Sequence, residues 1–92
     1  MIRSVRDKAL RRFIETGDGS RLSVQKPERL RRLLLALNAA RSPEAMNQPG
    51  LRFHALKGQQ RGRYAINVSG NWRLTFGWDG MDAIDVDLED YH

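Results

Sequence analysis

The chain has 92 residues, 40% of them hydrophobic, which is enough for one domain with a modest core and too short for two. It contains no cysteine, which excludes disulfides and thiolate metal sites and makes the reducing cytoplasm the expected location. No stretch approaches the ~18 apolar residues of a membrane span, and residues 1–4 lead into charged sequence rather than into a signal peptide. We therefore expect a soluble protein without a membrane partner.

Positive charge is concentrated in the first half of the chain. The formal net charge is +5; residues 1–41 carry 11 Lys and Arg against 4 Asp and Glu (+7), whereas residues 42–92 carry 5 against 7 (−2). A basic half of this kind suits contact with a polyanion or with an acidic partner.

The first half is also predicted to be helical. Residues 2–5 fit a short opening strand, Asp7 then starts a helical pattern, and Gly17 ends it. A second helix is predicted to start at Pro27, where the missing N–H costs nothing, and Ser42 caps a brief third helical turn. The predicted buried stripes are Leu10, Phe13 and Ile14 in the first helix, and Leu30, Leu33, Leu34 and Leu37 in the second. The opposite side of the second helix carries a run of arginines: Arg29, Arg31 and Arg32. Such a run is typical of a solvated helix face, and the alternative is a contact with RNA or the ribosome.

From residue 51 to Leu88 the pattern changes to strands, with residues 89–92 as a tail. Apolar side chains recur at every second position: Tyr64, Ile66, Val68, Trp72, Leu74, Phe76 and Trp78. Helices followed by strands indicate an α+β fold, in which two to three N-terminal helices pack on one face of a mostly antiparallel sheet. We expect a compact single domain over residues 1–92.

The same alternation predicts the register of the sheet, because opposed residues of an antiparallel pair point to one side. Three-residue loops at 69–71 and 79–81 would set Asn67 and Asp87 on the two sides of Arg73, and would also match the apolar residues: Val68 with Trp72, Ile66 with Leu74, Tyr64 with Phe76, Phe76 with Ile84, Leu74 with Val86, and Trp72 with Leu88. His54 is predicted to lie beside Ala65. His54 and Arg73 then share the open face of the sheet, roughly 10 Å apart at ~4.8 Å per strand, with room for a nucleotide phosphate.

Two histidines and two cations could together break an RNA phosphodiester. Attack by the 2′-OH needs a base, an acid for the 5′-leaving oxygen, and positive charge for the dianionic transition state. His54 and His92 suit the proton transfers, and Lys57 and Arg73 suit the charge. Each residue also has an alternative interpretation without catalysis. His54 would be a structural histidine, His92 a disordered terminal residue and Lys57 a solvent-exposed lysine. Arg73 would form a cross-strand ion pair.

A metal-nuclease cluster is a less favoured interpretation of three acids on one predicted strand face: Asp85, Asp87 and Glu89. Their predicted cross-strand neighbours Thr75, Arg73 and Asn71 can pair with them as ordinary polar partners. No histidine or cysteine lies at ligand spacing, so we expect no metal and no cofactor.

The sequence resembles the HigB toxins of the RelE/ParE superfamily over nearly its whole length. The resemblance is carried by LRFHALKG at 51–58, VSGNWRLTF at 68–76 and the ending EDYH at 89–92. It implies a RelE-like fold and a toxin that enters the ribosomal A site and cuts the mRNA being translated without metal, neutralised by HigA, a helix-turn-helix antitoxin. By matching motif, the implied catalytic residues are His54, Lys57, Arg73, Tyr91 and His92, and the implied contacts to the mRNA base are Asn71 and Asp90.

Two departures from the family's usual pattern lie in and just after the first motif, where Ala55 replaces a proline and Gln59 replaces a common acidic residue.

Two rival functions remain open. One is a toxin of the ParE branch, which poisons DNA gyrase by binding alone, and the other is an RNA-binding module without catalysis.

Overall fold

The computed structural model describes residues 1–90, and its first helix, α1, spans Lys8–Thr16. The Asp7 carboxylate accepts a hydrogen bond from the Leu10 N–H at 2.8 Å, which satisfies one of the unpaired donors at the helix start. At the other end Gly17 adopts a left-handed φ of 79° and donates its N–H to the Phe13 carbonyl. The predicted start and end of α1 are therefore confirmed.

Helix α2 spans Pro27–Ala39 and starts at the predicted proline. Its four predicted leucines are buried: Leu30, Leu33, Leu34 and Leu37. The third helical element is a short 3-10 turn, Pro43–Met46, that follows Ser42. One predicted core residue of α1 is wrong, because Ile14 is 38% exposed.

The sheet has four strands, β1 (His54–Ala55), β2 (Arg63–Ser69), β3 (Trp72–Asp79) and β4 (Asp82–Asp90). They lie in the order β1-β2-β3-β4, and each neighbouring pair is antiparallel. The predicted opening strand is present only as two parallel bridges to β4, which join Ile2 to Ala83 and Val5 to Val86. The α+β class with a mostly antiparallel sheet is confirmed.

The register between β2 and β3 agrees with the prediction except at the turn. Ile66 pairs with Leu74, Tyr64 with Phe76, and Asn67 with Arg73. The hairpin loop has two residues rather than three, because Ser69 pairs with Trp72 after a bulge. Gly70 takes a φ of 54°, the positive value that a two-residue hairpin turn of type II′ requires at its first position.

The predicted register between β3 and β4 is wrong. Arg73 pairs with Glu89 rather than Asp87, and Asp87 pairs with Thr75. The second hairpin loop also has two residues, and an extra residue in β4 forms a bulge at Asp85, whose φ is 49°. The strand continues to Asp90, so residues 89 and 90 are not part of a tail.

The apolar face of the sheet and the two helices enclose the hydrophobic core. Buried residues from the helices and the strands form one cluster, which includes Leu10, Phe13, Leu30, Leu37, Ile66, Leu74 and Phe76. An aromatic row crosses three strands on this face: Phe53 stacks on Tyr64 at 5.6 Å, and Tyr64 on Phe76 at 5.8 Å. Side chains of the alternate positions are therefore left on the opposite face, where the site lies. Within residues 1–90, no helix is long and apolar enough to cross a membrane.

Candidate functional site

A concave pocket of about 290 Å³ lies on the polar face of the sheet. The segment before β1, the strands β1, β2 and β3 and the β2–β3 turn contribute its lining residues: Arg52, His54, Asn67, Gly70, Asn71 and Arg73. The antiparallel pairings His54 with Ala65 and Asn67 with Arg73 explain this grouping, because opposed residues point to one side of the sheet. His54 and Arg73 therefore line one pocket.

The histidine ring is held by the backbone just before it. His54 Nδ1 lies 2.8 Å from the carbonyl oxygen of Arg52. A carbonyl can only accept, so Nδ1 carries a proton and Nε2 is the nitrogen left to exchange a proton with a substrate. Arg52 has a φ of 53°, a left-handed value that is rare for a residue with a side chain and is often associated with functional sites.

The pocket favours an anion. Two arginines, Arg52 and Arg73, are among its lining residues, and no Asp or Glu of the described residues is. Arginine side chains of this kind can donate hydrogen bonds to the oxygens of a phosphate or a carboxylate.

A polar chain runs across the strands beside the pocket. Arg63 Nη2 donates to the Thr75 hydroxyl at 2.9 Å, and this hydroxyl donates to Glu89 Oε2. Glu89 Oε1 lies 3.9 Å from Arg73 Nη2. Burial lowers the pKa of Arg63, with Arg6 adding to that effect and Glu89 opposing it.

The neighbouring Asp87 is also affected by burial. Burial raises the pKa of Asp87, and the nearby carboxylates of Glu89 and Asp7 raise it further. The N–H of Leu88 donates to Asp87 at 3.0 Å and acts in the opposite direction. The ionised form of Asp87 is therefore less stable in the folded protein than in the unfolded chain.

A second, larger cleft of about 660 Å³ adjoins the first at the β2–β3 turn, because Gly70 and Asn71 line both. Asp90 and Trp72 form part of it, together with Lys26 at the start of α2. Arg29, also in the lining, donates a hydrogen bond to the Val68 carbonyl at the bulge of β2.

The structure brings together some of the predicted site residues. His54, Arg73 and Asn71 line the first pocket, and Asp90 lines the adjoining cleft. Lys57 lines neither; it precedes the 3-10 turn Gly58–Gln60 on an exposed loop. The predicted roles of Tyr91 and His92 fall outside the described residues.

Two pocket residues, Arg52 and Asn67, were not predicted as part of the site. The alternation of the strands could have found Asn67, which lies opposite Arg73 and shares its face. Arg52 precedes β1 and has a left-handed φ of 53°, so strand alternation does not extend to it.

The three acids of β4 do not form a metal cluster. Asp85 accepts from the N-terminal segment, through Ser4, and Glu89 accepts from Thr75. Within residues 1–90, no group of three or more His, Cys, Asp or Glu side chains is placed to hold a metal ion.

Comparison with known proteins gives the class to which this fold and pocket correspond. Residues 3–92 match the family described as RelE-like toxin of type II toxin–antitoxin system HigB, and the chain belongs to this family of toxins. An antitoxin partner follows from that membership. The chain is also 35% identical over 92 residues to the Endoribonuclease HigB of Proteus vulgaris, an alignment that covers 100% of both proteins.

Proposed function

We propose that this toxin is an endoribonuclease that cuts mRNA in the A site of translating ribosomes in the cytoplasm. The observation that carries the proposal is the pocket on the polar face of the sheet, which His54 lines together with Arg52 and Arg73. The name of the Proteus vulgaris relative, an endoribonuclease, supports the same reaction class.

The reaction we propose is attack of a ribose 2′-oxygen on the adjacent phosphorus. A base removes the 2′-OH proton, the bond from phosphorus to the 5′-oxygen breaks, and an acid protonates the leaving oxygen. The products are a 2′,3′-cyclic phosphate and a 5′-OH. His54 and His92 take the two proton transfers, and we favour His92 as the base.

The remaining site residues act on charge and on position. Arg73 and Lys57 stabilise the negative charge that develops on the phosphate oxygens. Tyr91 offers a ring for stacking of a base, and Asn71 and Asp90 contact the mRNA base. Asn71 lines both clefts, which supports a path for the RNA over the β2–β3 turn.

The antitoxin is proposed to be a HigA-type helix-turn-helix protein. The concentration of positive charge in residues 1–41, +7 from 11 basic and 4 acidic residues, supports contact of this half with the ribosome or with the antitoxin.

The deciding experiment adds the purified protein to translating ribosomes and maps the mRNA by toeprinting. We expect new 3′ ends carrying a 2′,3′-cyclic or 3′-phosphate. His54→Ala and Arg73→Ala should each reduce cleavage, the second by roughly 100- to 1,000-fold, which is typical for loss of one preorganised group that stabilises transition-state charge.

Matched variants keep this experiment specific. Arg61→Ala removes an exposed cation outside both clefts and outside the basic half, and should cleave like the unsubstituted protein. Intact mRNA together with stalled DNA gyrase would instead favour the ParE-like alternative. Unchanged toxicity of His92→Ala would favour RNA binding without catalysis.

A further inference from the structure

A chain of side-chain hydrogen bonds beside the pocket links β2, β3 and β4 and ends at the carboxylate of Glu89. Arg63 of β2 donates to Thr75 of β3, and Thr75 donates to Glu89 of β4. Because the hydroxyl already accepts from a guanidinium, its proton is directed to the carboxylate. Glu89 is thus oriented from one side by a partly buried hydrogen bond.

Each carboxylate oxygen of Glu89 has a different partner. Oε2 accepts from Thr75, and Oε1 faces Arg73 Nη2 at 3.9 Å. The Arg73 and Glu89 side chains are only 14% and 27% exposed, and Thr75 is fully buried. The pair is therefore less screened by solvent than a surface ion pair, and its geometry is set by the sheet.

We propose that Glu89, held in place by Thr75 and Arg63, is a positioning residue for Arg73. Glu89 does not line the pocket and contacts Arg73 from the opposed position on the neighbouring strand. If the Arg73 guanidinium is already fixed when the substrate binds, it does not have to reorient as charge develops in the transition state. The kinetic part of the inference rests on the proposed function, because it assumes that Arg73 stabilises the scissile phosphate.

The first test measures the guanidinium itself, without any substrate. In ¹⁵N-labelled protein, rotation about the terminal bonds of the Arg73 guanidinium is followed by NMR. We expect rotation about tenfold faster in Glu89→Gln, the factor that corresponds to ~1.4 kcal/mol. Thr75→Val should give a similar change, because it removes the hydroxyl, and Thr75→Ser should restore slow rotation.

The second test measures cleavage on translating ribosomes. Glu89→Gln should lower kcat by roughly tenfold or more with KM unchanged, since misplacement of a positioned group by ~1 Å can cost about 100-fold. In an Arg73→Ala background the same substitution should cause no further loss, because its effect passes through the absent guanidinium. Glu44→Gln, the same change on the exposed 3-10 turn, should match the unsubstituted protein.

Two results would overturn the proposal. One is Arg73 rotation in Glu89→Gln equal to that in Glu44→Gln, and the other is a Glu89→Gln loss that persists in full without Arg73. Thermal unfolding of each variant identifies any that fail to fold, and Thr75→Val then replaces Glu89→Gln. If the unsubstituted protein leaves mRNA intact, the proposed nuclease function fails, whereas the NMR result still decides whether Glu89 positions Arg73.

Discussion

Substitution of Phe53 should loosen the shortest strand of the sheet, which carries His54. Strand β1 contains only His54 and Ala55, and the Leu56 N–H bonds to the Arg63 carbonyl at 2.8 Å just beyond it. Phe53 stacks on Tyr64, with the ring planes only 8° apart. A stacked pair of this kind contributes about 0.5–1.5 kcal/mol beyond burial. Partial burial of the ring adds about 1–2 kcal/mol, a fraction of the value for a fully buried side chain.

Phe53→Ala should therefore destabilise the closed state of β1 by about 1.5–3.5 kcal/mol. At ~1.4 kcal/mol per factor of ten, the open population rises roughly 10- to 300-fold. Native-state hydrogen exchange of the Leu56 amide measures this directly, because the amide exchanges when the strand detaches. Phe53→Leu keeps most of the burial but loses the stack, and should give an intermediate rate. A Leu56 amide that exchanges within about threefold of the original rate in Phe53→Ala would refute this account of how β1 is held.

Three further outcomes are expected. Burial raises the pKa of Asp87 in the folded protein above its value of ~3.9 in the unfolded chain. Ionised Asp87 therefore lowers the free energy of unfolding at pH values above the folded pKa, and this loss disappears below the unfolded pKa. Asp87→Asn should accordingly raise the Tm at pH 7 and gain less as the pH falls toward ~4; equal gains at both pH values would contradict the burial effect. Asp7→Ala removes the side chain that caps the Leu10 N–H, and should lower the free energy of unfolding by about 1 kcal/mol, or the Tm by ~4–8 °C. Asp7→Ser can still cap this N–H and should keep most of the stability. Ribosome association should weaken steeply with salt, because phosphate neutralisation releases counterions; a flat response would assign the basic half to the antitoxin.

The sequence signals that succeeded are those with a local physical cause. Asp7 and Gly17 mark the ends of α1 because a side-chain cap and a left-handed residue are needed there. The pairing of His54 with Ala65 followed from matching apolar faces, since a slip by one residue would bury the wrong side. These signals were enough to predict that His54 and Arg73 share a face.

The errors in the sheet arise where a shorter loop or an extra residue changes the register. The bulge at Asp85 has a positive φ at a residue other than glycine, which composition does not reveal. The two-residue β3–β4 loop and this bulge each shift the register by one residue, and together they move the partner of Arg73 from Asp87 to Glu89. The polar chain beside the pocket therefore could not be predicted from alternation. The hydrogen bond from His54 to the Arg52 carbonyl depends on a second positive φ of the same kind.

The two parallel bridges of the opening residues also affect how another chain could attach. They lie along the outer side of β4, where the Arg3 N–H donates to the Ala83 carbonyl and the Val86 N–H donates to the Ser4 carbonyl. At the other margin, β1 offers only two residues. A partner that adds a strand to the sheet would first have to displace the start of the chain. Recognition through side-chain surfaces is thus favoured over strand addition, and edge-to-edge aggregation of newly made toxin is hindered.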